Sequence, residues 1–150
     1  ILNVLQNDGE LYAKGAYGLC WQDDNYRYGD SLMERYEDFT LIGENVVDFS
    51  LANSGTIMQL SDGGCKYIGY DTGRYRDKAA KFREKELDIA NVKTACVFER
   101  MVFCVDVNNL MYVWGGYGNE FYSPSIAEIG YDIFIDSPII VDFKKKEIRY

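Results

Sequence analysis

Three stretches of the chain carry the same turn in the same setting, and no other feature restricts the fold so strongly. They read QNDGELYAKG from Gln6, LSDGGCKYIG from Leu60 and DVNNLMYVWG from Asp106. Gly9 is followed six residues later by Gly15, Gly63 by Gly69, and Asn109 by Gly115. Asp-Gly between two short alternating runs marks a hairpin, because glycine reaches positive φ without steric cost and Asn is its usual substitute there. An apolar-rich segment precedes each turn, at residues 2–5, 56–60 and 101–105. The pattern therefore predicts one strand–turn–strand unit used repeatedly.

A second anchor holds the same register. Asn45-Val46 lies 18 residues before Gly63, and Asn91-Val92 lies 18 before Asn109. A fourth, fainter unit is expected at the end of the chain, with strand 139–143, a Lys144-Lys145-Lys146 turn and strand 147–150. Turn positions 9, 63, 109 and 146 stand 54, 46 and 37 residues apart. Strand-rich repeats of roughly 40–50 residues are the signature of propeller blades, each a four-stranded antiparallel sheet. Segments 46–51, 92–97 and 133–135 fit the further strands. Repetition has a physical cause: one blade cannot cover both of its own faces and packs between neighbours. The expected fold is all-β, about three consecutive blades, with approximate repeats 9–62, 63–108 and 109–145 in a single unit 1–150 and partial hairpins at both ends.

The segments DGELYAKGAYG, DGGCKYIGYDTG and NNLMYVWGGYG resemble the regulator of chromosome condensation repeat, whose signature runs DG-x-V-Y-x-W-G-x-N-x-x-G. NLMYVWGGYG is the nearest of the three, and the resemblance covers nearly the whole chain. It implies a propeller, usually of seven blades, used mostly as a protein-binding platform. The sequence departs from that pattern in two places. The family's G-Q-L-G loop is replaced by Leu19-Cys20-Trp21-Gln22, Arg74-Tyr75-Arg76-Asp77 and Glu120-Phe121-Tyr122-Ser123. Its glycine-histidine pair before the third strand is replaced by Ala52-Asn53-Ser54 and Phe98-Glu99-Arg100. These losses spare the scaffold but remove the grounds for carrying over nucleosome docking or nucleotide exchange on a small GTPase, so exchange activity rests on the resemblance alone.

Three blades leave two open sides and cannot close a ring. The chain reads as a window on a longer array, or as one of several copies that complete a ring by association. The first residues, ILNVLQND, carry no initiator Met, basic n-region or cleavage site, which predicts a start inside a larger protein or after processing rather than a signal peptide.

Charge and residue inventory limit the function. The net charge of −8 repels phosphate backbones and anionic membrane surfaces, so no nucleic acid is expected as partner. No apolar run approaches the ~20 residues of a membrane-spanning helix. Histidine is absent, which removes Ser-His and Cys-His dyads and the commonest general base. No G-x-x-x-x-G-K-S/T loop exists, and Gly115-Gly116-Tyr117-Gly118 follows a strand without opening a helix. Asp23, Asp24 and Asp30 lack calcium-loop spacing. Cys20, Cys65, Cys96 and Cys104 form no C-x-x-C pair and have the apolar neighbours of buried free thiols, which favours a reducing compartment. The expectation is a non-enzymatic protein with no cofactor and no metal.

Binding in a repeat fold falls to variable inserts on one rim. The first insert, 22–39, places Tyr26, Tyr28 and Tyr36 among acids, with Trp21 just before it. The second, 70–86, holds Arg74, Tyr75 and Arg76, and its run from Asp77 to Glu86 has the composition of a short surface helix. Tyr117 and Phe121 follow the third hairpin, and Trp114 is expected to pack within its blade. Tyr, Trp and Arg suit a protein contact. The chain thus reads as an interaction scaffold for a protein partner, with an inhibitor or immunity-type protein blocking a basic enzyme site as the alternative.

Overall fold

The computed structural model describes residues 1–19, 32–70, 82–98, 101–116, 134–142 and 147–149, and all regular structure among them is β-strand. The strands form three antiparallel sheets in chain order. The first holds β1 (Leu2–Leu5), β2 (Leu11–Leu19) and β3 (Leu32–Gly43). The second holds β4 (Val46–Ala52), β5 (Gly55–Leu60), β6 (Cys65–Tyr70) and β7 (Phe82–Leu87). The third holds β8 (Val92–Phe98), β9 (Met101–Asp106), β10 (Met111–Gly116), β11 (Phe134–Asp142) and β12 (Glu147–Arg149). Within each sheet every strand pairs with its neighbours in sequence, giving meanders of three, four and five strands where four-stranded blades, the last of them reduced, were expected. Each complete sheet opens on its Asn-Val strand, so the turn-to-turn repeat 63–108 contains halves of two sheets.

The three turns are alike down to individual bonds. The Gly9, Gly63 and Asn109 amides donate to Gln6, Leu60 and Asp106 carbonyls at 3.1, 3.0 and 3.0 Å. The amides of Gln6, Leu60 and Asp106 in turn donate to Glu10, Gly64 and Leu110 carbonyls at 2.9, 2.9 and 3.0 Å. Closing the turn this way requires a left-handed residue, and φ is +88° at Gly9, +86° at Gly63 and +62° at Asn109.

The Asn-Val anchor also has a geometric cause. Asn45 and Asn91 adopt φ of +57° and +56° and lie against the preceding turns, within 3.4 Å of where a Cβ on Gly9 or Gly63 would sit. The Val46 amide donates to Gly9 O at 2.9 Å, and the Ser61 amide donates to Asn45 O at 2.8 Å. One sheet further on, Val92 donates to Gly63 O at 2.8 Å and Val107 to Asn91 O at 2.9 Å. The two anchors found in the sequence are thus the two halves of one hydrogen-bonded lock between a turn and the next sheet.

Two apolar clusters lie between the sheets. Leu11, Ala13 and Ile42 of the first sheet meet Val46, Met58 and Ile68 of the second. Ile57, Cys65, Tyr67 and Leu87 of the second meet Val92, Val97, Val102, Cys104 and Trp114 of the third. Trp114 is accordingly packing, as its place in the repeat predicts. The second sheet is covered on both faces, and each of its fully buried large side chains contributes roughly 1.5–3 kcal/mol.

Three local expectations are corrected. Phe82 to Glu86 is strand, not helix: its helix-forming residues are overridden by continuous pairing with β6, from Tyr70↔Phe82 to Cys65↔Leu87. The terminal apolar run does not open a fourth sheet. Ile139 to Val141 pair with Val113, Tyr112 and Met111 as the fourth strand of the third sheet, and Glu147 to Arg149 fold back on that strand as its edge. The split seen in the sequence is a bulge, where Gly115↔Ile135 gives way to Val113↔Ile139 around Pro138, which cannot donate to a ladder. Of the cysteines, Cys65 and Cys104 are buried and unbridged as expected, but Cys96 is exposed on the outer side of β8. Cys20 lies outside the described residues.

Candidate interaction rim

Strand direction assigns each connection to an end. In the antiparallel meander the three tight turns and the links 44–45 and 88–91 gather at one end. The β2–β3, β6–β7 and β10–β11 connections attach at the other, together with the short β4–β5 turn. Trp21, Tyr26, Tyr28, Arg74, Tyr75, Arg76, Tyr117 and Phe121 all belong to those three connections and lie outside the described residues. Among the proposed contact residues Tyr36 is described, and it sits on β3 opposite Gly15.

The base of this rim between the first two sheets is aromatic. Tyr17 of β2, Tyr36 of β3, Tyr70 of β6 and Phe82 of β7 pack together. Tyr17 and Tyr36 meet edge to face with ring centres 6.1 Å apart, and Phe82 lies 5.4 Å from Tyr17, 6.4 Å from Tyr36 and 5.3 Å from Tyr70. Such pairs contribute about 0.5–1.5 kcal/mol each beyond burial. Tyr36 is half-buried here, so much of its ring is engaged inside the chain. Burial first, then the nearby Tyr17, Glu34 and Glu84, push its phenol up to about 12. Burial likewise raises the Tyr70 phenol, assisted by Glu34.

Beneath the rings lies a buried polar contact across the sheet boundary. The Thr56 hydroxyl is 2.7 Å from Tyr17 Oη and accepts from Asn3 Nδ2 at 2.7 Å. Burial raises the Tyr17 phenol, and the bonds to Thr56 and Asn3 offset part of that rise. Two backbone bonds brace the same end: the Gly18 amide donates to Asn53 O and the Tyr70 amide to Ser54 O, both at 2.8 Å.

The second glycine of each motif works here, for two different reasons. Gly15 and Gly115 adopt φ of +104° and +114° at register shifts that re-aim the strand before its loop. Gly69 shows no register shift. A Cβ there would lie 2.5 Å from Ser54 O and from Tyr67 Oη and 2.6 Å from Gly55 Cα, so the position is held by close approach.

Sequence reasoning missed Tyr17, Tyr70, Phe82, Thr56 and Asn3. A signal was present for the tyrosines: Tyr17, Tyr70 and Tyr117 each stand one or two residues after the second glycine. Among the described residues no group of three or more Cys, Asp or Glu is placed to hold a metal ion, and no helix is long and apolar enough to cross a membrane.

The class defined by these observations is an all-β chain of successive antiparallel sheets packed face to face, with the arrangement of propeller blades. No protein-family model matches the chain, and no curated protein matches it. The crystal structure of human WBSCR16 is similar to it, with a TM-score of 0.58 at 16% identity, over 93% of this chain and 35% of that one. The likeness is one of fold, and this chain spans well under half the length of that protein.

Proposed function

We propose that the chain is a run of β-propeller blades acting as a non-enzymatic scaffold, which presents its loop-bearing rim to a protein partner. The observation that carries this reading is the common end of the three long connections. Strand direction attaches every one of them to the same side of consecutive sheets, with an aromatic cluster at the base between the first two. Trp21, Tyr75 and Phe121, one from each connection, supply the contact types that dominate protein interfaces. Likeness in fold to human WBSCR16 supports the propeller reading.

Affinity capture with three forms of the chain tests it. The triple variant Trp21→Ala/Tyr75→Ala/Phe121→Ala should lose the partner that the wild type retains. A control, Glu44→Ala/Asp88→Ala at the tight-turn end, should keep it. Equal capture by all three forms would refute the assignment of the rim.

A second reading is favoured by charge. Glu34, Glu37 and Asp38 on β3 and Glu84 and Glu86 on β7 are exposed, interleaved with Arg35, Arg83 and Lys85 and with Glu37, Asp38 and Glu84 in ion pairs, in a chain of net charge −8. The net negative charge suits a basic protein surface, as an inhibitor of a basic active site would need. It predicts binding that weakens steeply with salt and survives the rim triple variant. Nucleotide exchange on a small GTPase has only the sequence resemblance behind it. An absence of accelerated nucleotide release at micromolar chain would remove it.

A further inference from the structure

The two boundaries between sheets repeat one another, and they differ in one contact. Leu11 and Cys65 each stand two residues after a turn glycine, and Met58 and Cys104 each stand five residues before the next turn position. Between the first and second sheets these equivalent places hold Leu11 and Met58, both fully buried in one apolar cluster. Between the second and third they hold Cys65 and Cys104, 3% and 1% exposed in the other cluster. An apolar pair is therefore enough to pack this place. Packing alone gives no reason for both positions to become cysteine together.

The cysteine sulfurs are 3.5 Å apart, unbridged, on residues 39 apart in the chain. Backbone bonds on either side fix their approach. Cys65 lies two residues from Gly63, whose carbonyl accepts from the Val92 amide at 2.8 Å. Cys104 lies three residues from Val107, whose amide donates to Asn91 O at 2.9 Å. Each cysteine also sits in a strand paired on both sides, Cys65 opposite Gln59 and Leu87 and Cys104 opposite Ala95 and Tyr112. Thiols held in contact this way can be bridged with local adjustment only.

We infer that Cys65 and Cys104 are a modification site, a dithiol that a small-molecule disulfide such as glutathione disulfide oxidises to a reversible staple between the second and third sheets. One cysteine thiolate attacks a glutathione disulfide sulfur and expels a glutathione thiolate, leaving a mixed disulfide. The other cysteine thiolate then attacks the protein sulfur of that mixed disulfide and expels the second glutathione. Both cysteines are oxidised, glutathione disulfide is reduced, and the two thiol protons end on the two glutathiones. The hydrogen bond from Cys65 and then burial raise the Cys104 thiol, so exchange begins when the sheets part locally and not in the closed boundary. The product is apolar and suits the dry cluster that receives it. The inference rests on two described sheets and on no rim partner.

Incubation of the native 150-residue chain with excess glutathione disulfide, then alkylation in denaturant and peptide mapping without reductant, tests it. The Cys65 and Cys104 peptides should be recovered joined, and dithiothreitol should return both as free thiols. The oxidised chain should melt on the order of 10 °C above the reduced one, from closure of the loop between the two cysteines. Cys65→Leu/Cys104→Met, which installs the pair used at the first boundary, should fold by circular dichroism and melt alike under both conditions. If that variant is unfolded, Cys104→Ala takes its place. Cys20→Ser/Cys96→Ser should keep the full response. Recovery of Cys65 and Cys104 as alkylated thiols after oxidation would overturn the inference, as would a bridge from either one to Cys20 or Cys96. A Cys65–Cys104 bridge that left the melting temperature unchanged would also overturn it, since such a bond staples nothing.

Discussion

Gly63 and Gly69 stand six residues apart in one motif, yet they should respond oppositely to the same substitutions. At Gly63 the constraint is a dihedral angle. With φ at +86° and the Asn91 backbone 3.3 Å from where a Cβ would stand, Ala needs a shift of only a few tenths of an ångström there, but it enters the left-handed region, which costs roughly 1–2 kcal/mol. Asn should recover most of that loss, because Asn109 holds the same turn at φ +62°. At Gly69 the constraint is space. The Cβ of Ala would stand 2.5 Å from a backbone oxygen and 2.6 Å from a backbone carbon, neither of which can rotate away. Overpacking of that kind costs about 1–3 kcal/mol, and Asn, being larger, should cost more than Ala. Urea unfolding of the four variants measures the difference. Gly63→Asn should be close to wild type, Gly63→Ala intermediate, and Gly69→Ala and then Gly69→Asn progressively less stable. On the thermal scale the worst variant should melt on the order of 5–10 °C lower, at about 2–4 °C per kcal/mol for a chain of this size. If Gly69→Asn proved as mild as Gly63→Asn, the division between dihedral and steric glycines would be wrong.

Thr56→Val keeps the shape of a buried side chain while stripping two polar partners. It should cost about 1–3 kcal/mol in urea unfolding, and adding Tyr17→Phe should recover part of the loss by removing one orphaned hydroxyl. Burial pushes the Tyr36 phenol from its ordinary 10.0 up to about 12, so the native chain holds its proton longer. Its contribution to stability is complete below pH ~10 and is lost as pH rises through ~12, so unfolding curves should weaken across that window, less steeply in Tyr36→Phe. Cys65 and Cys104 face each other with sulfurs 3.5 Å apart, and their mutual hydrogen bond and burial raise the Cys104 thiol. Alkylation of the native chain followed by peptide mapping should find Cys96 modified and these two protected until denaturant is added. Modification of Cys104 at the rate of Cys96 would contradict the packing of the second sheet on the third.

What the sequence disclosed was mostly backbone conformation. Gly9, Gly63 and Asn109 stand out because few residue types tolerate positive φ, and Asn45 and Asn91 stand out for the same reason. Each leaves a trace in residue identity that survives degeneration of the surrounding strands. Long-range pairing leaves no such trace. Phe82 to Glu86 has helical composition, and only its partner strand β6 makes it extended. Residues 133–135 and 139–143 look like separate strands because Pro138 and Asp136 interrupt the apolar pattern, although a bulge lets β11 run unbroken from Phe134 to Asp142. The aromatic base was hidden differently, since Tyr17, Tyr70 and Phe82 are far apart in sequence and meet only when two sheets stack. The contact residues assigned to the inserts, apart from Tyr36, fall outside the described residues, so their assignment rests on strand direction and residue type.

The turn-to-strand lock also sets where the chain tolerates change in length. It ties Gly9 to Val46 and Gly63 to Val92 at one end, and any residue added to links 44–45 or 88–91 would displace an asparagine from its left-handed seat. The four described bonds of the lock all lie at the turn end. Foreign peptides of considerable length should therefore be graftable into 71–81 or 117–133 at the modest entropic cost of a longer closed loop. Tolerance of added length is thus expected to differ sharply between the two ends of the same sheets.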